Sequence, residues 1–313
     1  MFQIVNINKP QGWTSNDVVQ KIKHAKKLYN EKVGHLGTLD PFATGVLPIT
    51  IGKATRLFDY YLKKDKKYIA LFEFGKTTDT LDIYGTITDT CDKKICEADI
   101  EKILSKFTGN ISQMPPMYSA KKVEGKRAYD VARHGGEVKL QAKDVVVHTF
   151  TLLEKNAKCI KKYLKIDEKV QKYINFTQVF AFEIECSSGT YIRSLVRDVA
   201  SALGTVGYVV SLVRVQAGRF DIDDSIGLDE YLDGNIINSH CVLSASDVFQ
   251  DEIIVNVDED TFRAFLDGKR PHIDCKFVGE KYFVIRYQGG IVALCFGSAE
   301  KYDTVAFLYE GDK

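Results

Sequence analysis

No stretch of the 313-residue chain approaches the ~20 consecutive apolar residues that a helix needs to cross a bilayer. Nor does the opening MFQIVNINKPQGW show a basic region followed by a long apolar core, so no secretory signal is read there and cytoplasmic residence is expected. The seven cysteines (Cys91, Cys96, Cys159, Cys186, Cys241, Cys275, Cys295) are scattered. They form no C-x-x-C pair, and no histidine stands at ligand spacing from a cysteine pair, which argues against a zinc centre and a disulfide framework alike. No metal is expected. Repeats of fixed period and low-complexity tracts are also missing. So is a net charge: 43 Lys and Arg against 42 Asp and Glu leave +1. An enzyme acting on nucleic acid must then gather its cations locally. Two runs do so, Lys21, Lys23, Lys26, Lys27 and Lys32 near the start, and Lys121, Lys122, Lys126, Arg127 and Arg133 near the middle. A charge run by itself is usually a solvated face.

What is present reads as an ordinary globular chain, 45% hydrophobic and 27% charged, with room for one large domain and a small appended one. Thr14 and Asp17 make a capping pair ahead of a helix whose apolar stripe is Val18, Ile22, Ala25 and Leu28. The Gly-, Thr- and Pro-rich stretch 34–55 reads as a long ordered loop flanked by short elements. Tyr68–Phe74 reads as a strand. Ile100, Ile103, Leu104 and Phe107 stripe a helix that Gly109 can end. Residues 155–178, rich in lysine and weakly patterned, look like an insertion. A strand alternates Phe180, Phe182, Ile184 and Cys186, turns at Ser187-Ser188-Gly189, and feeds a helix lined by Ile192, Leu195, Val196, Val199 and Leu203. That unit places Thr190, Tyr191 and Arg193 in the first helical turn. Beyond residue 245 short strands take over, with Tyr282–Tyr287 and Ile291–Phe296 flanking the hairpin signal Gly289-Gly290, and a last strand at Thr304–Tyr309. Residues 246–313 are accordingly read as a small, mainly β domain.

The densest motif is Gly34-His35-Leu36-Gly37-Thr38-Leu39-Asp40-Pro41-Phe42-Ala43-Thr44-Gly45-Val46-Leu47-Pro48, continuing to Gly52-Lys53-Ala54-Thr55. It is not a phosphate-binding P-loop: six residues separate Gly45 from Gly52, and Ala54 occupies the position that needs a hydroxyl. Pro41 biases Asp40 toward an extended backbone, so the acid is held rigidly beside apolar Leu39, Val46 and Leu47. An Asp-Pro in such a loop is by itself more often a turn former. The whole string, however, resembles the signature of the TruB family of tRNA pseudouridine-55 synthases. Further blocks match in the same order. They are Lys9-Pro10-x-Gly12-x-Thr14-Ser15; Lys67-Tyr68 followed by Gly75-x-Thr77-Thr78-Asp79-Thr80-x-Asp82-x-x-Gly85; Pro115-Pro116-x-Tyr118-Ser119-Ala120-x-Lys122; Gly125-x-Arg127-x-Tyr129; and Ser188-Gly189-Thr190-Tyr191-Ile192-Arg193.

The resemblance spans residues 1 to about 225. It implies an α+β pseudouridine synthase fold over 1–245, with a mixed, mostly antiparallel central sheet flanked by helices, and a PUA-like RNA-binding module over 246–313. The nearest sequence hint of that module is Asp267-Gly268-Lys269-Arg270. The implied reaction isomerises uridine in the tRNA T-loop by flipping the base, with no cofactor and no guide RNA. Asp40 matches the nucleophile and Arg193 the arginine that pairs with it. Tyr68 matches the tyrosine that stacks on the base, and Tyr191 and Leu212 match pocket walls. His35 is assigned to RNA binding, and Lys9 and Lys122 to phosphate contacts. Whether the carboxylate attacks C1′ or C6, or deprotonates C2′, is left open by the motif. The implied partner is tRNA, gripped at the T-arm and, through the C-terminal module, at the acceptor end; the chain is read as a monomer without an obligatory protein partner. Two other readings share these motifs: a guide-dependent catalytic subunit of a box H/ACA particle, and a tRNA-folding chaperone. Almost nothing precedes Asn8-Lys9-Pro10 and no basic tail is seen, which favours the stand-alone enzyme. One departure stands out. Gly207-Tyr208-Val209-Val210-Ser211-Leu212-Val213-Arg214 lacks a histidine and one of two arginines common in the family.

Overall fold

The computed structural model describes residues 1–118, 140–164, 166, 171–234, 240–273, 279–298 and 301–311, and the backbone alone of 122–123, 126–127 and 239. Its centre is a large mixed sheet. Strands β1 (Phe2–Lys9), β2 (Val33–His35) and β3 (Thr44–Gly52) open the chain, with helix α1 (Ser15–Ala25) between the first two. The expected capping box starts α1: the Asp17 N–H donates to Thr14 Oγ1 at 3.0 Å and the Thr14 N–H to Asp17 Oδ2 at 2.9 Å. After the short helix α2 (Phe58–Leu62) come β4 (Lys66–Phe74), the hairpin of β5 (Lys76–Thr78) and β6 (Ile87–Thr90), helix α3 (Glu97–Leu104) and β7 (Gly109–Gln113). The two-residue strands β8 (Lys122–Val123) and β9 (Lys126–Arg127) pair with each other. Then follow β10 (Lys143–Leu153), helix α4 (Lys158–Tyr163), β11 (Val179–Cys186), helix α5 (Ile192–Ala202) and β12 (Gly207–Ala217). The sheet closes with β13 (Phe220–Asp221), β14 (Ile226–Gly227), helix α6 (Leu228–Asp233) and β15 (Val242–Leu243). Its order is β14-β1-β3-β12-β4-β11-β10-β7, with β2 on β3, β13 on β12 and β15 on β1. Among the described residues of this sheet, only the pairs β1–β14 and β3–β12 run parallel.

Residues 34–55 are not a loop flanked by short elements; β3 runs through their middle as a central strand. Val46–Ile51 are buried on both faces, so they lack the alternation that marks a half-buried strand, and Pro48 with its flanking glycines imitates a turn. The loop is only the interval between β2 and β3. A smaller correction concerns α5, which begins at Ile192 with Tyr191 as its N-cap, so Thr190 and Tyr191 precede the helix.

The faces of β4 divide the molecule. Tyr68, Ala70, Phe72 and Phe74 point to the front, where α1, α3 and α5 cover the sheet in one cluster with Leu39, Ile192 and Leu212. Ile69 and Leu71 point to the back. There the 155–178 segment lays Ile160, Leu164 and Ile174 against Leu71, Tyr208 and Val210, leaving Lys158, Lys161 and Lys162 exposed. The described residues of the segment cover the back of the sheet, with Lys158, Lys161 and Lys162 turned to solvent.

Helix α7 (Ala245–Val248) leads into a second sheet of β16 (Ile253–Asn256), β17 (Lys281–Tyr287), β18 (Gly290–Gly297) and β19 (Tyr302–Phe307), with helix α8 (Glu259–Leu266) against it. The β17–β18 turn is made by Gln288 and Gly289, both at positive φ (46° and 83°), as a type I′ hairpin requires. This small sheet is not held by a linker alone. Val248, Phe249, Val284, Ile291, Leu294, Ala306 and Leu308 share one apolar cluster with Phe2, Ile4, Leu57, Tyr60 and Tyr61 on the back of the large sheet. Arg56 Nη1 donates to Phe307 O at 2.7 Å, Lys53 Nζ to Tyr309 O, and the Tyr60 hydroxyl to Glu252.

One glycine is required by the packing. Gly45 has φ +101°, and a Cβ there would lie 2.3 Å from the carbonyl oxygen of Arg214 on the parallel neighbour β12. Gly45→Ala is expected to destabilise the fold by at least about 2 kcal/mol, from backbone strain plus a clash that no rotamer relieves. Chemical denaturation measures it; a midpoint equal to the wild type's would show that β3 and β12 can part without cost.

Candidate active site

The β2–β3 loop carries Asp40, and its backbone is pinned on both sides. The Leu39 N–H donates to Ser15 Oγ at 2.8 Å, and that hydroxyl donates back to Leu39 O at 3.1 Å. Gly12 N–H reaches Pro41 O at 2.8 Å, and Ala43 N–H reaches Asp40 O at 3.1 Å. The start of α1 and the turn before it therefore hold the peptide units flanking the acid. Its side chain is 32% exposed, toward a cavity of about 450 Å³.

Arg193, on the first turn of α5, closes on Asp40 with both prongs: Nε to Oδ2 at 2.8 Å and Nη2 to Oδ1 at 3.0 Å. This is the planar fork geometry in which arginine orients a carboxylate. The remaining donors are also satisfied, Nη1 by Thr80 O at 3.0 Å and Nη2 by Tyr118 O at 2.9 Å. Asp82 Oδ2 lies 3.6 Å from Nη1. Burial pushes the Asp82 carboxyl above the usual carboxylate range, with Arg193 pulling it back down. Asp40, Arg193 and Asp82 thus form an acid–guanidinium–acid row from cavity to interior. The sequence motifs contained Asp82 without indicating this place.

Tyr68, Tyr191 and Leu212 line the same cavity, as expected. Burial raises the Tyr68 hydroxyl to about 12, opposed by the Arg214 guanidinium beside it. Tyr191 is aimed through its main chain: its N–H donates to Gln113 Oε1 at 2.8 Å, and Gln113 Nε2 donates to its carbonyl at 3.1 Å. Gln113 is buried, and the sequence offered no signal for it beyond its place just before Pro115-Pro116. Arg214, also buried, gives Nε to Val46 O at 2.8 Å, Nη1 to Thr38 O at 3.2 Å and Nη2 to Gly37 O at 3.0 Å. It is the brace of the Asp40 loop. The departures from the family pattern beside it face the back of the sheet. Tyr208 packs with Leu71 and donates to Glu73 Oε2 at 2.6 Å, and Val213 packs with Phe2 and Ile4.

Two expected contacts are placed differently. Lys9, read as a phosphate contact, is fully buried and gives its ammonium to Trp13 O at 2.7 Å, Pro10 O at 2.9 Å and Pro41 O at 3.3 Å. Burial draws it down to about 7 against the attraction of Asp40. It ties β1 to the Asp40 loop instead of meeting solvent. His35 sits behind that loop on β2, opposite Ile49, and is not among the cavity-lining residues described. Lys122 lies in β8, but its side chain falls outside the described residues.

Burial, with Arg214 adding to it, lowers His35 from its ordinary 6.5 to about 4, so the ring is neutral near pH 7. The unfolded chain takes up this proton below about 6.5 and the folded one only near 4, so stability is present above that window and is lost as pH falls through it. Denaturant midpoints compared at pH ~7 and pH ~4.5 are expected to fall less for His35→Gln than for the wild type. Equal losses would remove His35 as the titrating group.

Comparison with known proteins shows the family. Residues 25–192 match the family model described as TruB family pseudouridylate synthase, N-terminal domain. The chain is 33% identical to tRNA pseudouridine synthase B of Syntrophomonas wolfei, over 97% of its own length and 96% of that protein's. It is 40% identical to the protein of the same name from Clostridium kluyveri, over 77% of this chain and 76% of that one. Among solved structures, a chain of a Cbf5–Nop10–Gar1 complex superposes with a TM-score of 0.68 at 24% identity, covering 94% of this chain and 78% of that one. That last likeness speaks for the fold.

Proposed function

The chain belongs to the TruB family of pseudouridylate synthases, and from that premise we propose that it converts the T-loop uridine of tRNA to pseudouridine without a guide RNA. The observation that carries the proposal is the two-pronged Asp40–Arg193 pair at a cavity walled by Tyr68, Tyr191 and Leu212. Pseudouridylation detaches uracil from C1′ of its ribose, turns it and rejoins it through C5. The atoms of substrate and product are the same, so the chain's own side chains suffice. Asp40 is the nucleophile of that exchange, splitting it into easier covalent steps. Arg193 keeps it aimed, because the two parallel N–H donors of its guanidinium fix both carboxylate oxygens.

A base inside the T-loop cannot reach this cavity until it leaves its stack, at a cost of a few kcal/mol. Tyr68 offsets that cost by stacking on the extruded uracil, worth about 1–3 kcal/mol. Tyr191 and Leu212 exclude water around it. Because flipping opens the T-arm locally, a tRNA-folding activity accompanies catalysis rather than replacing it. The C-terminal sheet grips the acceptor end, and the enzyme works in the cytoplasm as a monomer.

The test is to treat an unmodified tRNA transcript with the purified chain alone and map pseudouridine by mass spectrometry. Product at the T-loop uridine is expected. Absence of product that a guide particle restores would assign the chain to the guide-dependent relatives instead.

A further inference from the structure

Cations at the active-site cavity differ sharply in what they are free to do. Four described residues that line it carry a positive side chain: Lys66, Lys143, Arg193 and Arg214. Arg193 and Arg214 are buried, and their donors go to Asp40, Thr80, Tyr118, Val46, Thr38 and Gly37. Lys66 is buried too and gives its ammonium to Leu62 O at 2.9 Å and to Lys64 O. Lys143 is the exception. It opens β10 opposite Gln113, its side chain is exposed, and among the described residues no acid or carbonyl engages its ammonium. The ammonium lies directly over Gly189, 2.5 Å from where a Cβ would stand, on the wall that continues through Thr190 and Tyr191.

A flipped nucleotide brings its two phosphodiesters to the mouth of whatever cavity receives its base. Those diesters need a cation that is not already neutralised by the protein. We propose that Lys143 is that cation, and that it holds a backbone phosphate flanking the flipped uridine. The inference rests on the proposed function, since it presumes RNA in this cavity. It also replaces Lys9, whose ammonium is enclosed by carbonyls, as the described lysine that meets phosphate at the site. Gly189 belongs to the same arrangement. Its φ of +83° and its bare Cα leave the space over the turn to the lysine's ammonium.

The test measures the affinity of the full chain for unmodified tRNA across a salt series, for wild type, Lys143→Gln and Lys143→Arg. Each phosphate contact adds a little less than one unit to the slope of log affinity against log salt. Lys143→Gln is expected to lower that slope by about one unit and to weaken binding about three- to tenfold near 0.1 M salt. Lys143→Arg is expected to keep the slope, because it keeps the charge. A Lys143→Gln slope equal to the wild type's overturns the proposal. So does an equal loss in both variants with no change of slope, which would mark a structural lysine. Failure of the wild type to form pseudouridine without a guide would instead strike the function, and the slope on the same RNA would still read Lys143.

Discussion

Asp40→Asn is expected to lower the rate of pseudouridine formation by about a thousandfold or more while leaving tRNA affinity nearly unchanged. The substitution keeps the size of the side chain and one oxygen for Arg193, so the loop held by Ser15, Gly12 and Lys9 has no reason to move. Arg193 retains Asp82 and its two carbonyl partners. What disappears is the negative charge and the nucleophilic oxygen pair, and no other acid lines the described cavity. Binding, by contrast, is spread over many phosphates, and one neutralised acid changes it little. Single-turnover assays with mass-spectrometric detection, run beside filter-binding measurements, separate the two quantities. Pseudouridine produced at the wild-type rate would remove Asp40 from the chemistry.

Arg193→Met carries the second large effect, on stability as well as on rate. The arginine is buried between two carboxylates, one of them nearly buried itself, and removing it leaves both without their countercharge. Breaking such a pair from one side typically costs about 3–5 kcal/mol. Turnover is expected to vanish in the folded fraction, because Asp40 loses the fork that orients it. The pH dependence follows from Asp82. Its carboxyl is already pushed up by burial, and Arg193 is the main attraction holding it down. Without that attraction the folded state binds the Asp82 proton more readily than the unfolded state does. Stability of Arg193→Met therefore rises, relative to wild type, as pH falls from neutral toward mildly acid. Denaturation midpoints across that range measure it. A constant deficit would mean that the loss is one of packing alone.

Much of this arrangement was legible in the residues, and the parts that were not share a physical cause. The capping box of Thr14 and Asp17, the β4 strand and the apolar stripe of α5 are local, and each was read where it lies. β3 is hidden in the sequence because burial on both faces erases the alternation, while Pro48 and the glycines beside it mimic a turn. Lys9 misled for a related reason. A lysine in a motif suggests a solvent-facing cation, and only the distant carbonyl of Pro41 reveals that it is enclosed. Asp40, Tyr68, Tyr191, Leu212 and Arg193 come together as the motif resemblance implied. Their supports, Gln113 and Arg214, act through main-chain carbonyls and amides, which leave no trace in side-chain pattern. Lys143 stands outside every motif, and what distinguishes it is that Lys66, Arg193 and Arg214 are already engaged.

The seam between the two sheets has a thermodynamic consequence. Phe2, Leu57, Tyr60 and Tyr61 are buried partly by Val248, Phe249, Ile291 and Leu308, so neither sheet has a complete apolar interior without the other. Separating them would wet that shared surface at roughly 25 cal/mol for each Å² of apolar area exposed. Melting is thereby coupled across the seam, and the C-terminal strands contribute to the cooperativity that keeps Asp40 in place, although none of them approaches it.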